Sequence, residues 1–212
     1  MKVEIKGFTK TIQRVTVLED ISLTLESGNI YGLRGKNGSG KTMLMRAVSG
    51  LIRPTKGEIR INGKKLGKDI DFPESIGVLI ESPSFLGAYT GMQNLKMLSL
   101  LRGNIKEKEI NDMMKMVGLD PADKRQYRKY SLGMKQKLGL ANALLGFPDI
   151  ILLDEPLNAL DQNGAENLKN ILIMLKNSGK LIMIASHDIE ELEYLSDVIY
   201  TVKEGKIQEE KL

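Results

Sequence analysis

The sequence predicts an α/β protein with a largely parallel sheet covered on both faces and a helical segment inserted into it. Three observations carry this. Short apolar runs of strand length alternate with helical stretches over both ends of the chain. A glycine-rich loop sits between one such run and a helix. Residues from about Thr90 to Leu145 carry no good strand pattern. Alternation of strands and helices places strands side by side in parallel, with helices on the faces.

Taken in order, residues 1 to about 34 read as strands. Ile21, Leu23 and Leu25 alternate with Ser22 and Thr24, the period of a half-buried strand. Glu26 to Asn29 is a turn, and Ile30 to Leu33 is an apolar run. Lys41 to Ser49 reads as a helix stopped by Gly50. Strands follow at Glu58 to Ile61 and Ile76 to Ile80, with a turn at Asn62-Gly63. Thr90 and Gln93 have the spacing of a capping box, and Leu95, Leu98 and Leu101 continue near helical spacing. The methionines Met113, Met114 and Met116 read as core filler ending at Gly118. Then come a strand at Ile150 to Asp154, a helix from about Gly164 to Lys176, a strand at Leu181 to Ala185, a helix over Ile189 to Leu195, and a hairpin around Gly205.

The chain has 212 residues, enough to bury a sizeable core. It has no cysteine, which excludes disulfides, thiolate catalysis and cysteine-ligated zinc. No window approaches the ~18 apolar residues of a membrane span, and Met1 to Phe8 lacks the apolar run of a signal peptide. Net charge is +4, which reads as a mildly basic protein. With six Tyr, four Phe and no Trp there is little for base stacking, so no nucleic-acid partner is expected.

Gly35-Lys36-Asn37-Gly38-Ser39-Gly40-Lys41-Thr42 fits the G-x-x-x-x-G-K-[ST] pattern in full. Its glycines let the backbone curl so that N–H groups point at phosphate oxygens. The following helix adds its positive N-terminal end. Lys41 places an ammonium near the outer phosphates, and Thr42 offers a hydroxyl to Mg²⁺. Ile150 to Leu153 is an apolar strand ending in Asp154 and Glu155. Ligands of open parallel sheets gather beyond such strand ends. Adjacent strand residues face opposite ways, so the two carboxylates are expected to do different jobs. Asp154 is the candidate for holding Mg²⁺ through water, and Glu155 for orienting or deprotonating the attacking water. Ser131, at the start of another helix, is either an ordinary cap or an anion site, and spacing alone leaves both open.

With these motifs in order, the sequence resembles the ATP-binding cassette family over nearly its whole length. The resemblance identifies Gly35 to Thr42 as Walker A, Ser131 to Lys135 as the signature, Ile150 to Glu155 as Walker B, Asn158 to Asp161 as the D-loop, and His187 as the switch histidine. It implies a P-loop NTPase fold with a RecA-like core and an antiparallel β subdomain in residues 1–85 and 146–212, and a helical subdomain in 86–145. It further implies ATP and Mg²⁺ as ligands and a head-to-tail dimer, of two copies or of this chain with a homologous ATPase. In that dimer Ser131 and Gly133 of one chain face the γ-phosphate held by the other, and Asp161 lies close by. His187 would contact the γ-phosphate and position Glu155. Transmembrane permease subunits would be the partners, and the chain would sit in the cytoplasm on the inner face of the membrane.

Three positions depart from the family pattern. The signature reads Ser131-Leu132-Gly133-Met134-Lys135, keeping the serine and the glycine. Glu81 stands where the family has a glutamine, and a carboxylate there can still ligate Mg²⁺. Ile12 aligns with the aromatic residue that stacks on adenine, so Ile12 and Val17 would offer aliphatic packing instead. Glu81 and the run from Tyr130 to Leu138 resemble the bacitracin and lantibiotic exporter branch. A soluble cassette ATPase acting on DNA or ribosomes would need long coiled-coil insertions or a second cassette, and the sequence has neither. A non-catalytic nucleotide switch fits poorly with Glu155 and His187 both in place.

Overall fold

The computed structural model describes residues 1–101, 103 and 105–210. Two sheets organise them. The larger has six strands in the order β10-β9-β3-β8-β7-β6. These are β3 (Ile30–Arg34), β6 (Ile76–Leu79), β7 (Ile150–Asp154), β8 (Leu181–Ser186), β9 (Val198–Lys203) and β10 (Lys206–Glu210). All neighbours pair in parallel except the terminal hairpin β9–β10. The smaller sheet is antiparallel, in the order β2-β1-β4-β5, from β1 (Lys2–Ile12), β2 (Val15–Glu26), β4 (Lys56–Ile61) and β5 (Lys64–Lys65).

Strand alternation splits the core in two. Ile151, Leu153, Ile182 and Ile184 point to one face of the parallel sheet, where helices α2 (Gly91–Ser99), α3 (Glu107–Met116), α4 (Leu132–Leu144), α5 (Gln162–Asn177) and α6 (Ile189–Leu195) supply the facing side chains. Ile150, Leu152, Leu181 and Met183 point to the other, against α1 (Lys41–Val48) and the inner face of the antiparallel sheet. Burial on both faces explains why β7 and β8 read as continuous apolar runs. Met113 and Met114 are both buried in the helical half of this core.

Several local expectations meet their cause. Thr90 accepts from the Gln93 N–H while the Gln93 side chain accepts from the Thr90 N–H, closing the capping box of α2. Gly50 follows α1 at a φ of 84°, where a side chain would be strained. Gly205 turns β9 into β10. The Gly205 N–H donates to Ser39 O, and Gly205 O accepts from Glu19 N–H, so the hairpin tip ties the glycine-rich loop to β2.

Candidate nucleotide site

The Gly35–Thr42 loop leaves the end of β3 and enters α1, as the spacing of its glycines predicts. Gly38 and Gly40 lie at φ 79° and 116°, conformations that L side chains rarely adopt. Gly35 has no room for a side chain: a Cβ there would sit 2.4 Å from Val202 O and 2.6 Å from the Ser39 hydroxyl oxygen. The loop is therefore fixed by close backbone approach as well as by torsion.

A cavity of about 520 Å³ opens over this loop. Lys36 to Met43 line it, with Val15, Thr16 and Val17 from β2, Asp154 and Glu155 from the end of β7, and Glu204 and Gly205 from the hairpin tip. Lys41 is only 5% exposed. Its ammonium donates to Gly35 O at 2.5 Å and Lys36 O at 3.4 Å, and has no carboxylate partner among the described residues. A buried cation that meets only main-chain carbonyls is poorly compensated and favours an anion beside it. The Ser39 hydroxyl is likewise buried without a hydrogen-bond partner among the described residues. Both features suit a polyphosphate.

Thr42 Oγ1 donates to Asp154 Oδ2 at 2.6 Å, joining the start of α1 to the end of β7. One hydroxyl and one carboxylate make a sparse metal site, and no cluster of three His, Cys, Asp or Glu occurs among the described residues. That donor set suits Mg²⁺, which keeps several waters and takes substrate phosphate oxygens as ligands.

Glu155 modifies the strand argument. Its φ is 49°, so the backbone has already left the β7 pleat and strict alternation does not govern its side chain. Both Asp154 and Glu155 consequently reach the same cavity. Their partners differ nonetheless. Glu155 Oε2 lies 2.9 Å from His187 Nδ1 and accepts from Asn158 Nδ2 at 3.3 Å. His187 follows β8 and is exposed, lining a neighbouring hollow with Arg34, Lys36 and Thr201. Beneath it, Ser186 Oγ donates to Glu191 Oε2 at 3.1 Å. Burial pushes the Glu191 carboxyl above its ordinary value, and the charges of Asp188 and Glu155 push the same way, against the hydrogen bond from Ser186.

Of the remaining candidates, all but Val17 lie outside this cavity. Ser131 is exposed at the start of α4, where its Oγ accepts from Met134 N–H at 3.2 Å. It therefore caps the helix. Gly133, in the first turn of α4, packs under the loop after β7: a Cβ there would come within 2.8 Å of Ala159 O. Asp161 caps α5 through Gly164 N–H and stands 3.7 Å from Lys137 Nζ. Val17 lines the cavity, whereas Ile12 sits on the β1–β2 hairpin, 41% exposed, off the lining. Glu81 is also off the lining, held by Arg46 at 2.6 Å.

Sequence reasoning found the hairpin around Gly205 but missed that its tip reaches the cavity, and it missed the roles of Arg46 and Gln136. Gln136 Nε2 donates to both Glu155 O and Pro156 O, fixing the turn that carries Glu155. None of these has a local signal, because each acts on a segment distant in sequence.

Comparison with known proteins places the chain among others of this architecture. A sequence profile described as "ABC transporter" matches residues 18–158. The uncharacterized ABC transporter ATP-binding protein YybJ of Bacillus subtilis (strain 168) is 45% identical over 206 residues, spanning 97% of this chain and 94% of that protein. The bacitracin transport ATP-binding protein BcrA of Enterococcus faecalis is 38% identical over 210 residues, spanning 98% and 68% respectively. Among solved structures, the dimeric post-hydrolysis state of the ATP-binding cassette MJ0796 bound to ADP and Pi superposes with a TM-score of 0.90 at 25% identity, covering 99% of this chain and 98% of that one.

Proposed function

This chain belongs to the ABC transporter family, and from that premise we propose that it couples ATP hydrolysis to export through a membrane permease, with peptide antibiotics as the cargo class. It is an ATP-binding, ATP-hydrolysing subunit by family. Cargo rests on the likeness to the bacitracin transport protein, and export on the resemblance of Glu81 and the run from Tyr130 to Leu138 to an exporter branch. No helix among the described residues is long and apolar enough to cross a membrane. Permease subunits as partners, with this chain on the inner face of the membrane, are carried by the family.

The observation that carries the mechanism is the convergence of Lys41, the Thr42–Asp154 pair and Glu155 on one cavity. In this reading the backbone of Gly35 to Gly40 and the Lys41 ammonium receive the triphosphate of ATP. Val17, with Val15 and Thr16, packs the nucleoside end, and Ile12 stands beyond them at the hairpin. Thr42 and Asp154 would hold Mg²⁺, with Glu81 joining only if it leaves Arg46. When bound, the metal neutralises charge on the phosphate oxygens. Glu155 accepts a proton from, or orients, the attacking water, while His187 and Asn158 hold its carboxylate. Ser131 and Gly133 of a second chain, near Asp161, close over the γ-phosphate, so that two chains make two sites. Residues 86–145 form the helical subdomain of this scheme, and 1–85 with 146–212 the core and β subdomain.

Glu155→Gln tests it. The amide keeps the shape and removes the base. ATP affinity measured by equilibrium binding should stay within a few-fold of wild type, while steady-state phosphate release falls by roughly 100-fold or more. Near-normal turnover would remove Glu155 from this role.

A further inference from the structure

Thr42 and Arg46 are four residues apart on α1 and so lie on one face of it, a turn apart. Thr42 points to Asp154, and Arg46 points to Glu81, with Arg46 Nη2 2.6 Å from Glu81 Oε1. Glu81 follows β6 at a φ of 62°, a left-handed conformation that is costly for a residue with a side chain. The strained turn delivers the carboxylate to the guanidinium and not to the cavity, whose lining includes Thr42 and Asp154 but not Glu81. A free carboxylate in this place would have two effects. It would repel a triphosphate, and it would compete for the divalent cation one helical turn away.

We propose that Arg46 is a positioning residue that holds the Glu81 carboxylate off the metal-binding face, so that Glu81 reaches the metal only by exchanging its guanidinium partner. The inference rests on the reading that Thr42 and Asp154 hold the cation on a bound triphosphate. Both side chains of the pair are substantially solvated, 34% for Arg46 and 64% for Glu81, so the pair is held weakly and exchange is accessible. The planar guanidinium also fits a carboxylate in a defined geometry, which a point charge does not.

Mn²⁺ is a direct probe. Its affinity for the protein saturated with a non-hydrolysable ATP analogue is read from the free-ion EPR signal in wild type, Glu81→Gln, Arg46→Met and the double variant. Glu81→Gln should change Mn²⁺ affinity by less than about twofold when Arg46 is present, and weaken it by roughly fivefold or more when Arg46 is Met. Arg46→Lys, which keeps a cation within reach, should move the effect of Glu81→Gln back toward the small value. An equal effect of Glu81→Gln in both backgrounds would overturn the proposal, because through-space charge alone acts the same in each. Should Arg46→Met lose analogue binding, Arg46→Gln carries the same comparison. Failure of the wild-type protein to bind the analogue would instead overturn the underlying nucleotide reading.

Discussion

Gly133 is held by contact, not by torsion. Its missing Cβ would lie 2.8 Å from the carbonyl oxygen of Ala159, a residue itself at a φ of 65°. A backbone atom cannot swing aside as a side-chain tip can. Gly133→Ala should therefore destabilise the fold by about 1–3 kcal/mol through overpacking. In a chain of this size each kcal/mol lowers the melting temperature by roughly 2–4 °C. An unchanged melting curve would mean that the loop after β7 moves freely off α4. Such a contact joins residues 26 apart in sequence, so the serine–glycine spacing alone gives no hint of it. Asp154 and Glu155 teach the complementary lesson. Their chemistry was readable from an apolar strand running into two acids. Their directions were not, since the alternation rule ends where Glu155 turns to positive φ.

At the scale of elements, β4 shows what charge patterning does on a solvated face. Glu58 and Arg60, two residues apart, point the same way, and Lys65 joins them from β5. Hydrogen bonds from Arg60 and Lys65 hold the Glu58 carboxyl down from its ordinary 4.5 to about 2. The folded value lies below the unfolded one. The stabilisation is thus fully present above the unfolded value and is lost as pH falls through the folded one. Between about pH 6 and about pH 3 the urea midpoint of wild type should drop more than that of Glu58→Gln, which has no such carboxylate to protonate. Equal drops would show that the three side chains are not paired in solution. Elements were the most legible level of this chain: the Thr90–Gln93 box opens α2 and the glycine-rich loop opens α1 where the residue patterns put them. The pairing of β1 with both β2 and β4 was not, because period-two alternation marks a strand but says nothing of which distant strand completes its ladder.

At the scale of the whole molecule, the cradle and the signature serine lie apart. Lys41 lines the cavity, and Ser131 stands exposed at the start of α4, outside it. One chain therefore offers a triphosphate its cradle but not Ser131. In the proposed function a two-fold, head-to-tail pairing would supply the missing half reciprocally, each chain lending Ser131 and Gly133 to its mate. Two defective chains test this directly. Lys41→Ala loses the cradle and keeps the signature. Ser131→Arg keeps the cradle and obstructs the signature. Either variant alone should form only defective sites and show little phosphate release. Mixed, they form one site from the intact cradle of the second and the intact serine of the first, alongside one site with both defects. Random pairing makes half of the dimers mixed, so turnover should return to roughly a quarter of the wild-type rate. Its dependence on protein concentration should follow that of association, because the working site exists only in the pair. If the mixture does no better than its components while both variants still fold, each site must be complete within a single chain.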